Sequence, residues 1–270
     1  MADLKLIIGN KNYASWSLRP WIAMRHAGIA FEEELALLDF DGDGPGNAHL
    51  KAFSPAGRVP VLFHGDLAIW ESLAILEYVA ELYPDTGLWP EDRTARARAR
   101  VAANEMHGGF GALRSALPMN VRRTPSKVSY SEDVEVDIAR IQEIWADCLG
   151  EKSGGGPFLF GRFSIADAMY VPVVSRFEVY EVPLADAVRP YAEAILSLPA
   201  FEEWKAAARA EWKGTVGFVK TTPCARPKED SPNVGHGHHW FGNAESYFLI
   251  GDALGKEMLR LLKVDKDRKD

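Results

Sequence analysis

The chain has 270 residues, 47 % of them hydrophobic and 26 % charged, with a net charge of −7 and a pI near 5.6. That length holds one large domain or two modest ones, and a core of this size needs no disulfide or metal staples. The acidic balance argues against nucleic acid as the main partner, since that ligand selects a basic patch. Cys148 and Cys224 lie far apart, in no metal or redox spacing, which suits a reducing compartment. No stretch reaches 18 apolar residues and the first residues carry no secretory pattern, so a cytoplasmic protein without a membrane span is expected.

Residues 4–8 form a short apolar run that reads as a strand, followed by a polar loop over 9–16. A helix is expected over 17–27, with Pro20 in its first turn, where proline is tolerated, and Gly28 at its end. Residues 31–38 alternate weakly and read as a second strand. So short a strand–helix–strand connection implies a parallel pair. Residues 39–57 are rich in Gly, Asp and Pro, a loop with one helical turn at 48–53.

The most informative stretch is 57–83, GRVPVLFHGDLAIWESLAILEYVAELY. Val61, Leu62 and Phe63 are β formers, His64-Gly65-Asp66 is a tight turn, and 67–70 is a second short run, together an antiparallel hairpin. A helix then opens at Glu71-Ser72, with Leu73, Leu76, Ala80 and Tyr83 at helical spacing and Val79 and Leu82 beside them, and Pro84 stops it. The order βαβ–ββα is thioredoxin-like.

Strand signals cease at 84–90, a boundary of proline, glycine and aspartate. Residues 93–117 read as a long helix weakened by Gly108, Gly109 and Gly111, either by a kink or by close packing. A second helix over 131–149 carries the stripe Val134, Ile138, Ile141, Trp145 and Leu149. Ser164-Ile165-Ala166-Asp167 is a capping box for a helix that is apolar almost all round, the buried centre of a second domain. Helices over 186–196 and 199–212 follow, then a loop over 221–239 and one amphipathic helix over 243–263. The histidines at 236, 238 and 239 sit in that loop without nearby acidic ligands, so no metal is expected.

Two joints of the stretch 57–83 carry chemistry. At Val59-Pro60, before a strand, proline cannot join a ladder; a cis bond would leave the Val59 backbone at a sheet edge, able to pair with an extended peptide. At Glu71-Ser72, Ser72 is a candidate N-cap, the free N–H groups of the first helical turn attract a carboxylate, and Glu71 can hold an ammonium. Together they describe a receptor for a short peptide with a free amine and carboxylates.

This stretch resembles the glutathione-binding half of the glutathione transferase family, with its V-P-x-L and E-S-x-A-I-x-x-Y-L motifs; the last Leu is Val79 here. The segment 157–177, PFLFGRFSIADAMYVPVVSRF, looks like the folding element of the family's helical half. The resemblance covers about 4–212 and ends before the tail. It implies a thioredoxin-like α/β domain over 1–83, an all-α domain over 91–213 and an extension over 214–270. It further implies glutathione as co-substrate, held by Val59 and Pro60 at the cysteinyl backbone, Glu71 and Ser72 at the γ-glutamyl end and Arg58 near the glycyl carboxylate. The other partner would be a small electrophile, and the assembly a homodimer.

A transferase must also make a thiolate. Lowering a thiol pKa near 8.5 by about two units takes roughly 2.7 kcal/mol; one hydroxyl donor supplies about 1.5–3 kcal/mol and a helix N-terminus about 0.3–1 kcal/mol. In zeta- and tau-like members a serine stands five residues before the arginine-hydrophobic pair that opens the helix. Counting back from Arg19 gives Ala14, so the usual serine is missing. Ser15 is the expected catalytic residue, with Ser17 and Tyr13 behind it; alternatively, Ser15 and Ser17 only cap the helix. No cysteine lies in this loop, which argues against the cysteine-based oxidoreductase branch. Residues 104–110 resemble an E-M-H-x-G-F segment of some bacterial members, and Tyr13, Met106, His107 and Phe110 are expected to line the co-substrate pocket. A zeta-like cis–trans isomerase and a non-catalytic glutathione-binding module are the alternative functions.

Overall fold

A computed structural model describes residues 4–38, 47–151, 155–211, 249–254 and 256. Residues up to Glu211 form one compact unit and those from Trp212 a second. In the second, residues 249–254 and 256 are helical; the rest of the expected tail helix, the loop over 221–239 with its histidines, and Cys224 lie outside the described residues.

The first unit begins with a four-stranded sheet in the order β2-β1-β3-β4. β1 (Leu4–Ile8) lies parallel to β2 (Glu32–Leu35) and antiparallel to β3 (Val61–His64), which pairs in turn with β4 (Leu67–Trp70). The two-residue period of β1 divides its side chains between two cores. Leu4, Leu6 and Ile8 join the main core, whereas Ile7 packs on the other face with Ala36, Leu50 and Val61. β2 is shorter than the expected 31–38. Its side chains are largely exposed, as suits an edge, and beyond it the Leu38 N–H turns to the Asn10 side chain at 2.7 Å.

Two helices cover the main-core face, α1 (Ser15–His26) and α2 (Ser72–Leu82). α1 starts two residues earlier than expected, because a turn that brings the Tyr13 and Ala14 N–H groups onto the Asn10 carbonyl delivers the chain directly into it. Pro20 is therefore its sixth residue, in the second turn, and removes the bond to the Trp16 carbonyl. α2 buries Ser72, Ile75, Leu76 and Val79, a stripe one residue round from the expected one, with Leu73, Ala80 and Tyr83 at its margin and Leu82 exposed.

The helical half comprises α3 (Arg93–Gly108), α4 (Gly111–Ala116), α5 (Glu132–Glu151), α6 (Ile165–Val179), α7 (Arg189–Leu196) and α8 (Pro199–Ala210). The helix expected over 93–117 is broken. Gly109 closes α3 where a Cβ would stand 2.7 Å from the Glu105 carbonyl oxygen, and Phe110 takes a left-handed conformation, φ 62°. The close approach is to the helix's own Glu105 carbonyl and not to a packed neighbour, so of the two expected causes it is the turn of the chain that operates. α7 starts three residues later than expected, at Arg189.

α6 is buried along nearly its whole length and packs against α1, α3 and α7. The expected capping box is present. One Asp167 carboxylate oxygen accepts the Ser164 N–H and hydroxyl, both at 2.8 Å, and the other accepts the Leu159 N–H at 3.0 Å. Burial raises the Asp167 pKa to about 6, against the pull of these donors. α1 also packs on α8, and α2 on α3, so the two sequence halves meet along their helices.

Candidate functional site

The chemistry-bearing joints of the sequence converge. Arg58, Val59, Pro60, Glu71 and Ser72 line one cleft of about 330 Å³, together with Trp16, Leu38, Leu50 and Trp70. Val59-Pro60 is cis and lies just past the end of the β3 ladder, whose last pair is Val61 with Trp70. Glu71 has φ 71° and ψ 121° and makes the whole reversal from β4 into α2, with no loop between them. Glu71 is thus the N-cap residue, and the expected cap, Ser72, is instead the first helical residue. Its hydroxyl is buried without a hydrogen-bond partner among the described residues. The first-turn N–H groups of α2 and this hydroxyl border the cleft, an arrangement suited to a carboxylate. A larger hollow of about 770 Å³ opens against β1 and β2, but its charged residues Lys5, Glu32 and Glu34 pair with one another.

Ser15 is the first residue of α1 and nearly buried, next to Trp16 of the cleft wall. Ser17 does not cap the helix. It is wholly buried two residues on, and its hydroxyl accepts the Gly9 N–H at 3.2 Å. Tyr13 is exposed at the tip of the same loop. The loop is fastened to the helical half. Asn12 donates to the Asn120 side chain at 2.9 Å and accepts the Arg122 N–H at 2.8 Å. The Trp204 indole donates to the Lys11 carbonyl at 2.9 Å, and the Lys11 N–H reaches Glu211 at 2.9 Å.

Of the residues expected to hold a co-substrate, His107 stands at the site. Its Nε2 is 3.9 Å from the Glu71 carboxylate and its ring meets Trp16 edge-on at 5.2 Å. Burial, together with the charges of Arg19 and Arg114, depresses its pKa, and Glu71 opposes them. Met106 and Phe110 depart from expectation and belong to the core. Met106 continues the stripe Ala99, Ala102 and Ala103, which faces inward and puts His107 on the neighbouring face.

Sequence reading used Arg19 only to set the register and passed over Trp16. Both are central to the geometry. The Arg19 guanidinium lies over the Trp16 ring at 4.2 Å and that of Arg114 at 4.7 Å. An indole and an arginine three residues apart, across the junction of the expected loop and helix, were the available signal. Among the described residues no group of three or more His, Cys, Asp or Glu could hold a metal, and no helix is long and apolar enough to cross a membrane.

A thioredoxin-like sheet with a cis-proline edge, followed by a helical half built around one buried helix, defines a class of glutathione-handling folds. Residues 13–82 match the profile of the glutathione S-transferase N-terminal domain and residues 93–209 that of its C-terminal domain. The chain belongs to the glutathione S-transferase family. It is 29 % identical over 168 residues to Protein IN2-1 of Zea mays, a match covering 62 % of this chain and 63 % of the maize protein. It is 23 % identical to a probable maleylacetoacetate isomerase of Vibrio cholerae, over 74 % of this chain and 95 % of that one. Among solved structures, a glutathione transferase homologue from Burkholderia with bound glutathione superposes with a TM-score of 0.56 at 23 % identity, over 77 % of this chain and 98 % of that one. That likeness is one of fold.

Proposed function

We propose that the chain is a glutathione transferase that joins the thiolate of glutathione to a small electrophile. The observation that carries this reading is the convergence of Arg58, Val59, Pro60, Glu71 and Ser72 on one cleft beside the start of α1. The Val59 backbone pairs with the cysteinyl residue, and the α2 N-terminus with Ser72 and Glu71 takes the γ-glutamyl carboxylate and ammonium. Arg58 sits nearest the glycyl end. Ser15 donates to the sulfur and favours the thiolate. The thiol proton leaves to solvent, the sulfur–carbon bond forms with the thiolate's electron pair, and the leaving group departs with its own. Tyr13 and His107 border the electrophile.

The protein acts in the cytoplasm as a homodimer in this reading. In support of the dimer, Val101 of α3 and Val136 of α5 are 64 % and 61 % exposed, and a groove of about 240 Å³ runs between these helices. The similarity to the Vibrio isomerase favours a second reading, in which glutathione adds to a cis-olefinic diacid and leaves again after rotation. Steady-state assays decide between them. Thioether formation from glutathione and 1-chloro-2,4-dinitrobenzene supports the transferase. Turnover of a cis-olefinic diacid without loss of glutathione supports the isomerase. Glutathione binding with neither activity leaves a binding module.

A further inference from the structure

His107 is held on three sides. The Arg114 guanidinium donates to its carbonyl at 3.2 Å, the Trp16 ring meets the imidazole edge-on at 5.2 Å and 82°, and Met106 beside it anchors the end of α3 in the core. The two ring nitrogens have different surroundings. Nδ1 is buried and has no hydrogen-bond partner among the described residues. Nε2 lies 3.9 Å from the carboxylate of Glu71, a half-exposed side chain that lines the cleft. A hydrogen on Nδ1 would be a buried donor without an acceptor, whereas a hydrogen on Nε2 faces a carboxylate. The neutral ring is therefore the Nε2–H tautomer. A second proton would create that orphan donor at Nδ1. It would also add a positive charge beside Arg19 of α1 and Arg114 of α4, while Arg176 of α6 acts on Arg19 in turn. Glu71 at the head of α2 is the opposing charge. Burial and the two arginines outweigh it, so the imidazole is neutral at pH 7.

A glutamate half in solvent samples several rotamers, and fixing one of them on binding costs affinity. We propose that His107 is a positioning residue for glutathione: its Nε2–H donates to one oxygen of Glu71 and turns the other toward the γ-glutamyl ammonium. A small rotation of the exposed Glu71 side chain closes the 3.9 Å gap to hydrogen-bond length. The inference rests on the transferase reading, and gives His107 a task on the tripeptide beside its place at the edge of the electrophile. A neutral donor suits this task. It orients the carboxylate and leaves its charge to the ligand, whereas an imidazolium there would compete with the ammonium for it.

The test uses the full chain and two ligands, S-methylglutathione and S-methyl-N-glutaryl-cysteinylglycine, which lacks only the γ-glutamyl amine. Titration calorimetry at pH 7.5 measures both without chemistry. The parent should prefer the amine by about tenfold or more, the scale of one charge-assisted hydrogen bond. His107→Ala should cut that preference by about three- to tenfold, through weaker binding of S-methylglutathione alone. His107→Gln, whose amide N–H can stand in for Nε2–H, should restore part of it. In a Glu71→Ala background His107→Ala should change neither affinity, since the imidazole acts through the carboxylate. An amine preference that survives His107→Ala intact overturns the proposal and leaves the transferase reading standing. So does an effect that persists beside Glu71→Ala, because the ring would then touch the ligand itself, and so does equal weakening of both ligands, the mark of a structural role. Nitrogen-15 shifts of His107 in the unliganded chain read the tautomer without any ligand, and a hydrogen on Nδ1 overturns the assignment. A parent chain that binds neither tripeptide overturns the transferase reading and the proposal together.

Discussion

The Ser17 hydroxyl accepts the Gly9 N–H at 3.2 Å and so ties α1 back to the end of β1. That bond separates the two serines of the loop, because Ser17 is committed inside the core and Ser15 stands at the helix start.

Ser15→Ala is therefore expected to raise the pKa of bound glutathione thiol by about one to two units, the loss of roughly 1.5–3 kcal/mol of hydrogen bonding to an anion. Difference spectra of the thiolate against pH measure it. Ser17→Ala should leave that titration in place and cost about 1–3 kcal/mol of stability in urea, by leaving the Gly9 N–H unsatisfied. A titration that moves in Ser17→Ala and not in Ser15→Ala would transfer the role.

Ser72→Ala should weaken glutathione and spare the fold. The hydroxyl has no partner to lose among the described residues, so the urea midpoint should stay nearly fixed. KM for glutathione should rise by about five- to tenfold with kcat little changed, because the contact is made equally before and in the transition state. A fall in kcat at constant KM would contradict this assignment.

Asp167→Ala should destabilise the helical half by on the order of 3 kcal/mol, since it strands the buried N–H groups of Leu159 and Ser164 together. Asp167→Asn should lose less, because its one acceptor oxygen can serve one side of the pair. Equal losses in the two variants would show that charge, and not the number of acceptors, holds the loop.

His107 gives a pH dependence. Its folded pKa is depressed, by burial first and by Arg19 and Arg114 next, with Glu71 opposing. Below its ordinary value of about 6.5 the unfolded chain binds a proton that the folded chain refuses, so stability falls on acidification through that value. Above it the residue contributes nothing. His107→Gln should lose less stability than the parent between pH 7.5 and pH 5.5 in urea titrations. In proton NMR, Arg19→Met should move the His107 titration upward.

The strands, the hairpin and α6 were legible because their signals are local. The apolar run at 4–8, a Gly turn at 65 and the capping box at 164–167 each act within a few residues. The cleft was legible for a different reason, since its two joints flank one hairpin and are brought together by the hairpin alone. What failed was set by distant partners, by helix phase or by a backbone conformation that the residue type does not announce. Ser17 looks like a cap until Gly9 claims it, and Met106 looks like a pocket residue until the helix phase turns it inward. The Arg19 cluster draws on α1, α4 and α6, and only its Trp16–Arg19 pair lies within one segment. Ser72 was misplaced by one residue because nothing in a glutamate announces a left-handed backbone.

The moorings of the loop at 10–14 bear on how such a chain can be recombined. Asn120, Arg122, Trp204 and Glu211 all hold that loop, and all lie in the helical half. A chimaera that grafts the first 83 residues onto the helical half of another family member would keep Arg58, Val59, Pro60, Glu71 and Ser72 of the cleft. It would nevertheless set Ser15 adrift unless the donor supplied an amide at 120 and an indole at 204. The halves of this protein are thus fitted to one another at this loop, and a graft that keeps its moorings takes residues 4–211 together.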